Sequence, residues 1–139
     1  MSQPPIRPQL AASAAIFRDG KLLLVRRANA PGRGLYSLPG GRVEFGETIE
    51  QAVHREVDEE TSLKIAIAGF AAIREVLPAD GVAGHFVVLS YAARWVGGEV
   101  RLNQELDDFR WIDPDRLHDF STTVQLDLSV AAARRVIGL

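Results

Sequence analysis

The sequence predicts an α/β fold, an α/β/α sandwich in which a mixed β-sheet lies between helices. Three observations predict it. Asp19-Gly20 separates two apolar runs of strand length, residues 11–17 and 22–26, which is a strong short-range hairpin signal. Residues 48–61 carry apolar positions at helical spacing, and so do residues 124–137. Between these two stretches lie further strand-like runs, and the order strands–helix–strands–helix suits a mixed sheet with helices packed on it.

The elements follow in chain order. Residues 1–9 contain Pro4, Pro5 and Pro8, which deny the backbone regular hydrogen bonding, so they read as a disordered tail before a domain spanning 10–139. Residues 28–37, with Pro31, Gly32 and Gly34, read as a loop. Pro39-Gly40-Gly41 reads as a second turn, because a Gly pair permits backbone angles closed to other residues. Thr48 stands three residues before Gln51, the arrangement of a capping box at a helix start. Ile49, Ala52, Val53 and Val57 then share one helical face, which gives that helix a side to bury. Residues 63–77 and 86–95 are rich in β-branched, apolar and aromatic side chains, and they flank a turn-rich stretch with Pro78, Asp80, Gly81 and Gly84. Gly97-Gly98 marks another turn, and residues 109–112 form a short strand. In the closing helix, Val124, Leu128, Ala131 or Ala132, and Val136 fall on roughly one stripe, with Gly138 as the stop.

A chain of 139 residues supports one domain with a real core. Its 47% hydrophobic and 24% charged residues are the balance of a soluble globular protein. A formal net charge of −2 lacks the basic excess of a general nucleic-acid binder. There is no cysteine, which excludes disulfides, Cys-ligated zinc and a thiol nucleophile. The first nine residues lack the apolar core of a signal peptide, and no run approaches a membrane span. A soluble cytoplasmic protein without membrane contact is the expectation.

The chemistry concentrates in Gly41-Arg42-Val43-Glu44-Phe45-Gly46-Glu47 and in Arg55-Glu56-Val57-Asp58-Glu59-Glu60. Four acids lie within five residues at a helix C-terminus, where the macrodipole is already negative. Glu56 and Glu60 are four apart and Glu59 is three from Glu56, so these carboxylates face one region. Like-charge pairs at such spacing cost roughly 0.2–0.5 kcal/mol each. A sequence selected only for a stable helix would avoid that penalty, and a bound divalent cation removes it. Carboxylate oxygens without cysteine point to magnesium or manganese, and magnesium held by few carboxylates completes its shell with substrate phosphates. The competing reading is a solvated acidic face, which most charge runs are.

The surrounding residues weigh against that bland reading. Gly41, Glu47, Arg55, Glu56, Val57, Glu59, Glu60 and Leu63 resemble the signature of the Nudix hydrolase family: Gly, five residues, Glu, seven residues, Arg-Glu, an apolar residue, any residue, Glu-Glu, any residue, Gly, an apolar residue. At average residue usage, six fixed matches arise by chance with odds of roughly 1 in 10⁵. Residues 35–41 and 22–27 also look like the family's approach to this box. Two positions depart from the pattern. Ser62 stands where the family carries a Gly that ends the helix in a left-handed conformation, at a cost to Ser of about 1–2 kcal/mol. Tyr36 stands where relatives often carry Trp.

The resemblance implies a Nudix-like α/β/α sandwich and metal-dependent cleavage of a nucleotide diphosphate. It implies Gly41, Glu56, Glu59 and Glu60 at a Mg²⁺ or Mn²⁺ site, and Glu47 with Arg55 orienting them. It places the catalytic work among Arg55, Glu56, Glu59 and Glu105, Glu105 standing where relatives often place a further acid. Gly40 and Arg27 are the substrate-binding candidates, the alternatives being a turn glycine and a surface ion pair. Glu44, in the turn before the helix, is a weaker candidate. His54, His85 and His118 fit no ligand spacing and read as structural or exposed. The favoured partner is a small nucleotide-diphosphate substrate of ADP-ribose type; a homodimer is compatible with the sequence and stable nucleic-acid binding is not expected. Nucleoside triphosphate hydrolysis is the rival in the same class. A catalytically silent nucleotide sensor is the rival from another class, and the retained acids speak against it.

Overall fold

The computed structural model describes residues 7–30, 32–80 and 84–139. Its core is a seven-stranded mixed sheet flanked by two helices. Strands β1 (Gln9–Arg18) and β2 (Lys21–Arg27) form the expected hairpin. Asp19 and Gly20 at its tip both take positive φ, 51° and 77°, the turn whose twist matches that of the flanking strands. The strand begins at Gln9, one residue inside the stretch expected as a tail, because its N–H donates to the His85 carbonyl and it joins the sheet there. Residues 1–6 of the expected tail lie outside the described residues.

Strand β3 (Tyr36–Ser37) pairs with β2, and β4 (Gly40–Arg42) pairs with β1. The glycine pair is therefore not a turn as the sequence suggested. Neither Gly40 nor Gly41 has positive φ. What these positions require is the absence of a side chain: a Cβ on Gly40 would lie 2.2 Å from the Ala12 carbonyl oxygen and 2.8 Å from the Ser13 Cβ.

Helix α1 (Ile49–Thr61) starts on the anticipated capping box, with Thr48 Oγ1 accepting from the Gln51 N–H and Gln51 Oε1 accepting from the Thr48 N–H. It buries Ala52, Val53 and Val57 against Ala14, Ile16, Leu23 and Val25. Ser62 ends it at φ 65°, in the left-handed conformation expected of the missing Gly. Strands β5 (Lys64–Val76), β6 (Phe86–Gly97) and β7 (Leu106–Ile112) complete the sheet. β6 runs parallel to β1 from Gln9↔Phe86 to Phe17↔Arg94, β5 lies outside β6, and β7 pairs with β2.

Helix α2 (Leu126–Ile137) closes the other face, with Gly138 at φ 86° as its stop. It buries Leu126, Val130 and Ala133 against Ala15, Phe17, Leu22 and Leu24. The stripe expected from the sequence is the wrong one. Val124 precedes the helix, and Leu128 is 61% exposed. The correct face follows from a helix starting at 126, which aligns 126, 130, 133 and 137. Coverage on both sides explains why β1 and β2 are apolar without alternation: successive residues of β1 point into one layer and then the other. Among the described residues, no helix is long and apolar enough to cross a membrane.

Candidate active site

Arg55 organises the site. It projects from the middle of α1 towards the turn before that helix. Its Nε and Nη2 donate to the two Glu47 carboxylate oxygens at 2.7 and 2.9 Å, a bidentate, charge-assisted pair. Nη2 also donates to the Arg42 carbonyl at 2.9 Å, and Nη1 donates to Glu56 at 2.8 Å and Glu59 at 3.3 Å. One guanidinium thus ties β4, the turn and two acids of the helix together. The Arg55 pair, helped by the Glu44 N–H, holds the Glu47 carboxyl at about 2, and the same pairing pushes Arg55 further up. Glu44 lies at the rim, 3.7 Å from Arg55 and largely exposed.

Glu60 is the buried member of the cluster, 4% exposed. Its Oε1 accepts the Gly40 N–H at 2.9 Å. Burial, with Glu56 and Glu105 close by, raises this carboxyl to about 8. Burial also raises Glu56, against the pull of Arg55. Glu56 packs directly on Gly41, where a Cβ would fall 2.5 Å from the carboxylate carbon. The two glycines of β4 therefore face opposite ways, Gly40 against β1 and Gly41 against the acid.

The structure brings Glu105 to the same place although it is 45 residues from Glu60, close enough for its charge to raise both Glu56 and Glu60. Arg27 lies beside it: Arg27 pairs with Leu106, and the Ala28 N–H donates to the Glu105 carbonyl. The Arg27 side chain packs along Gly32, where a Cβ would fall 3.1 Å from its Cδ. Glu59 sits at the edge, its side chain 56% exposed and in contact with Arg55. The three histidines stay apart from the cluster: His54 is on the exposed side of α1, His118 pairs with Asp119 at 3.4 Å, and His85 Nε2 is buried without a partner.

Among the described residues, no three acids or histidines already converge as a finished metal cage. The donor set nonetheless fits a hard divalent cation. Glu56, Glu60 and Glu105 crowd together, burial raises the carboxyls of Glu56 and Glu60, and the missing side chain at Gly41 leaves the backbone within reach of that carboxylate group. Such an arrangement can hold a cation and a polyphosphate and accept a proton from water. Reading the sequence did not single out the Arg42 carbonyl, which accepts from Arg55, or Asn103, whose side-chain oxygen accepts the Glu105 N–H. An Asn two residues before Glu105 was the available signal, as Asn side chains close such turns. Tyr36 donates its hydroxyl to Asp108 and stacks edge-on against Phe120 at 5.2 Å, forming wall on the α2 side of the sheet.

Comparison with known proteins agrees with this architecture. A NUDIX domain model matches residues 7–135. An ADP-ribose pyrophosphatase of Methanocaldococcus jannaschii is 33% identical over 112 residues, covering 81% of this chain but 66% of that protein. The nucleoside triphosphatase NudI of Escherichia coli is 30% identical over 139 residues, covering 93% of this chain and 94% of the relative. The crystal structure of a MutT NUDIX hydrolase from Burkholderia pseudomallei superposes with a TM-score of 0.83 at 30% identity, over 91% of this chain and 98% of that one. With a family match across nearly the whole domain and the same fold at this identity, the chain belongs to the Nudix hydrolase family, enzymes that act on pyrophosphate bonds of nucleotide substrates.

Proposed function

We propose that the chain uses Mg²⁺ or Mn²⁺ to hydrolyse the diphosphate linkage of a nucleoside diphosphate joined to another moiety, an ADP-ribose-like compound being the favoured substrate. The observation that carries this reading is the gathering of Glu56, Glu60 and Glu105 around the glycine strand, an arrangement of acids that a cation reconciles. The identity to the archaeal ADP-ribose pyrophosphatase supports the substrate class.

In this reading Gly41, through its carbonyl, and Glu56, Glu59 and Glu60 hold the metal. When bound, the cation neutralises the diphosphate and lowers the pKa of water. Arg55 orients Glu56 and Glu59, and Glu47 fixes Arg55. A carboxylate of the set, Glu56, Glu59 or Glu105, takes the proton from the attacking water. Arg27, next to Glu105, contacts a phosphate, whereas Gly40, expected from the sequence to bind substrate, packs against β1 and gives its N–H to Glu60, so it seats the acid instead. A second reading, nucleoside triphosphate hydrolysis, is supported by the relative NudI, which this chain covers almost end to end.

A product screen over ADP-ribose, other nucleotide sugars, dinucleoside polyphosphates and nucleoside triphosphates separates the two. Activity is expected to vanish in excess EDTA and return with magnesium or manganese. Glu59→Gln and Glu60→Gln are each expected to lower kcat by a hundredfold or more, on the order of 3 kcal/mol, with little change for His54→Ala. Full turnover in EDTA, or equal losses at His54 and Glu59, would overturn the mechanism.

A further inference from the structure

We propose that Asn103 is a positioning residue, holding Glu105 on the acid cluster by tying its loop to the end of α1. This deepens the reading above and rests on Glu105 joining the acid cluster, as the proton acceptor named there or as one more ligand to the metal. Glu105 stands in the connection between β6 and β7, exposed and outside regular structure. Such a carboxylate reaches a buried partner reproducibly only if its backbone is fixed.

The fixing groups are on the page. A helix leaves its last carbonyls without partners, and here the loop supplies them: the Arg101 N–H donates to the Thr61 carbonyl at 2.9 Å and the Asn103 N–H to the Glu60 carbonyl at 3.3 Å. Asn103 then turns the chain. Its Oδ1 accepts the Glu105 N–H at 3.0 Å and its carbonyl accepts the Leu106 N–H at 3.3 Å, an Asx turn nested in a β-turn. Beyond the turn, the Ala28 N–H holds the Glu105 carbonyl at 2.9 Å. Asn103 is thus bonded at once to the backbone of Glu60 and to the backbone of Glu105, and so sets the distance between the two acids. An amide provides this acceptor without adding another negative charge to a group already carrying Glu56, Glu60 and Glu105.

The test is a double-mutant cycle on the full chain with Asn103→Leu, Glu105→Gln and both together, read by steady-state kinetics and by Mn²⁺ binding followed through the electron paramagnetic resonance of the free ion. Asn103→Leu keeps the branched shape at a somewhat larger volume and loses the acceptor. It is expected to lower kcat and Mn²⁺ affinity about 10- to 100-fold, the usual effect of losing a group that orients a ligand, with KM little changed. In the Glu105→Gln background it is expected to do nothing more, since effects through one residue are not additive. Asn103→Asp, which keeps the acceptor, is expected to recover Mn²⁺ affinity. If Asn103→Leu does not fold, Asn103→Ala replaces it in the cycle.

Equal losses from Asn103→Leu in both backgrounds would show a general structural role and overturn the proposal, as would an Asn103→Leu variant with parental kcat and Mn²⁺ affinity. If Glu105→Gln itself binds Mn²⁺ and turns over like the parent, Glu105 is outside the set and the inference falls alone. If the parent hydrolyses none of the nucleotides screened, the proposed function falls, and the Mn²⁺ cycle still decides the role of Asn103.

Discussion

Glu60 is ionised in an unfolded chain above its ordinary value near 4.5 but stays protonated in the metal-free fold until about 8. The folded state therefore binds more protons across that interval, and stability falls as pH rises from about 4.5 to about 8. Thermal melts of metal-free protein should show that decline, and Glu60→Gln should flatten it. With saturating magnesium the parent should gain stability that the variant does not. Melts of parent and Glu60→Gln that fall in parallel would mean the buried carboxyl titrates elsewhere. The two glycines of β4 make a sharper pair. Gly40→Ala drives a Cβ into backbone, the Ala12 carbonyl at 2.2 Å, and should cost at least the 1–3 kcal/mol of an overpacked core. Gly41→Ala meets only the movable end of Glu56, so it should fold and yet lose activity. Urea midpoints and kcat for both variants check this. The need for Gly at both positions was legible in the sequence, but its reason was not. A bare Gly-Gly reads as a turn, and only the strand register shows that close approach on two opposite faces is what excludes a side chain.

At the scale of elements, both helix starts and stops test local rules against packing. Ser62 holds φ 65° without the freedom of a glycine, so Ser62→Gly should stabilise the protein by up to about 1–2 kcal/mol at no cost to the cap geometry. A lower melting temperature for Ser62→Gly would show that the serine side chain contributes more than the strain removes. In α2, Leu126→Ala should cost about 2–5 kcal/mol, whereas Leu128→Ala should stay within about 0.5 kcal/mol. Denaturation midpoints of the two variants decide which face is buried. The first helix was readable because its capping box and three buried positions agree on one register. The second was misread because it carries leucine, valine or alanine at 126, 128, 130, 131, 132, 133 and 136, so several stripes look apolar and only the true start selects one.

At the scale of the molecule, the sequence showed the hairpin, both helices, the strand runs and the acids of α1, because each is written in contiguous residues. What it could not show is assembly. The parallel pairing of β1 with β6 joins residues 77 apart, and the meeting of Glu105 with Glu60 depends on β7 returning to β2. Neither leaves a periodic trace. The family signature located the acids of the helix, but the fixing of Glu105 lies in hydrogen bonds between a helix end and a loop.

The position of β1 has a consequence for how the chain acquires its structure. One edge of β1 is shared, its first half by β4 and its last residues by β2, while the whole of its other edge is taken by β6. During synthesis the hairpin with β2 can close early, but the apolar run from Ala11 to Phe17 keeps an unpaired edge until residue 94 has been made. Closing that edge brings together residues 77 apart, so folding should be set by this late parallel pairing rather than by either helix. In the interval, the nascent chain presents a sticky strand. The final architecture hides β1 at the centre of the sheet, and the route to it makes the same strand the segment most exposed to aggregation.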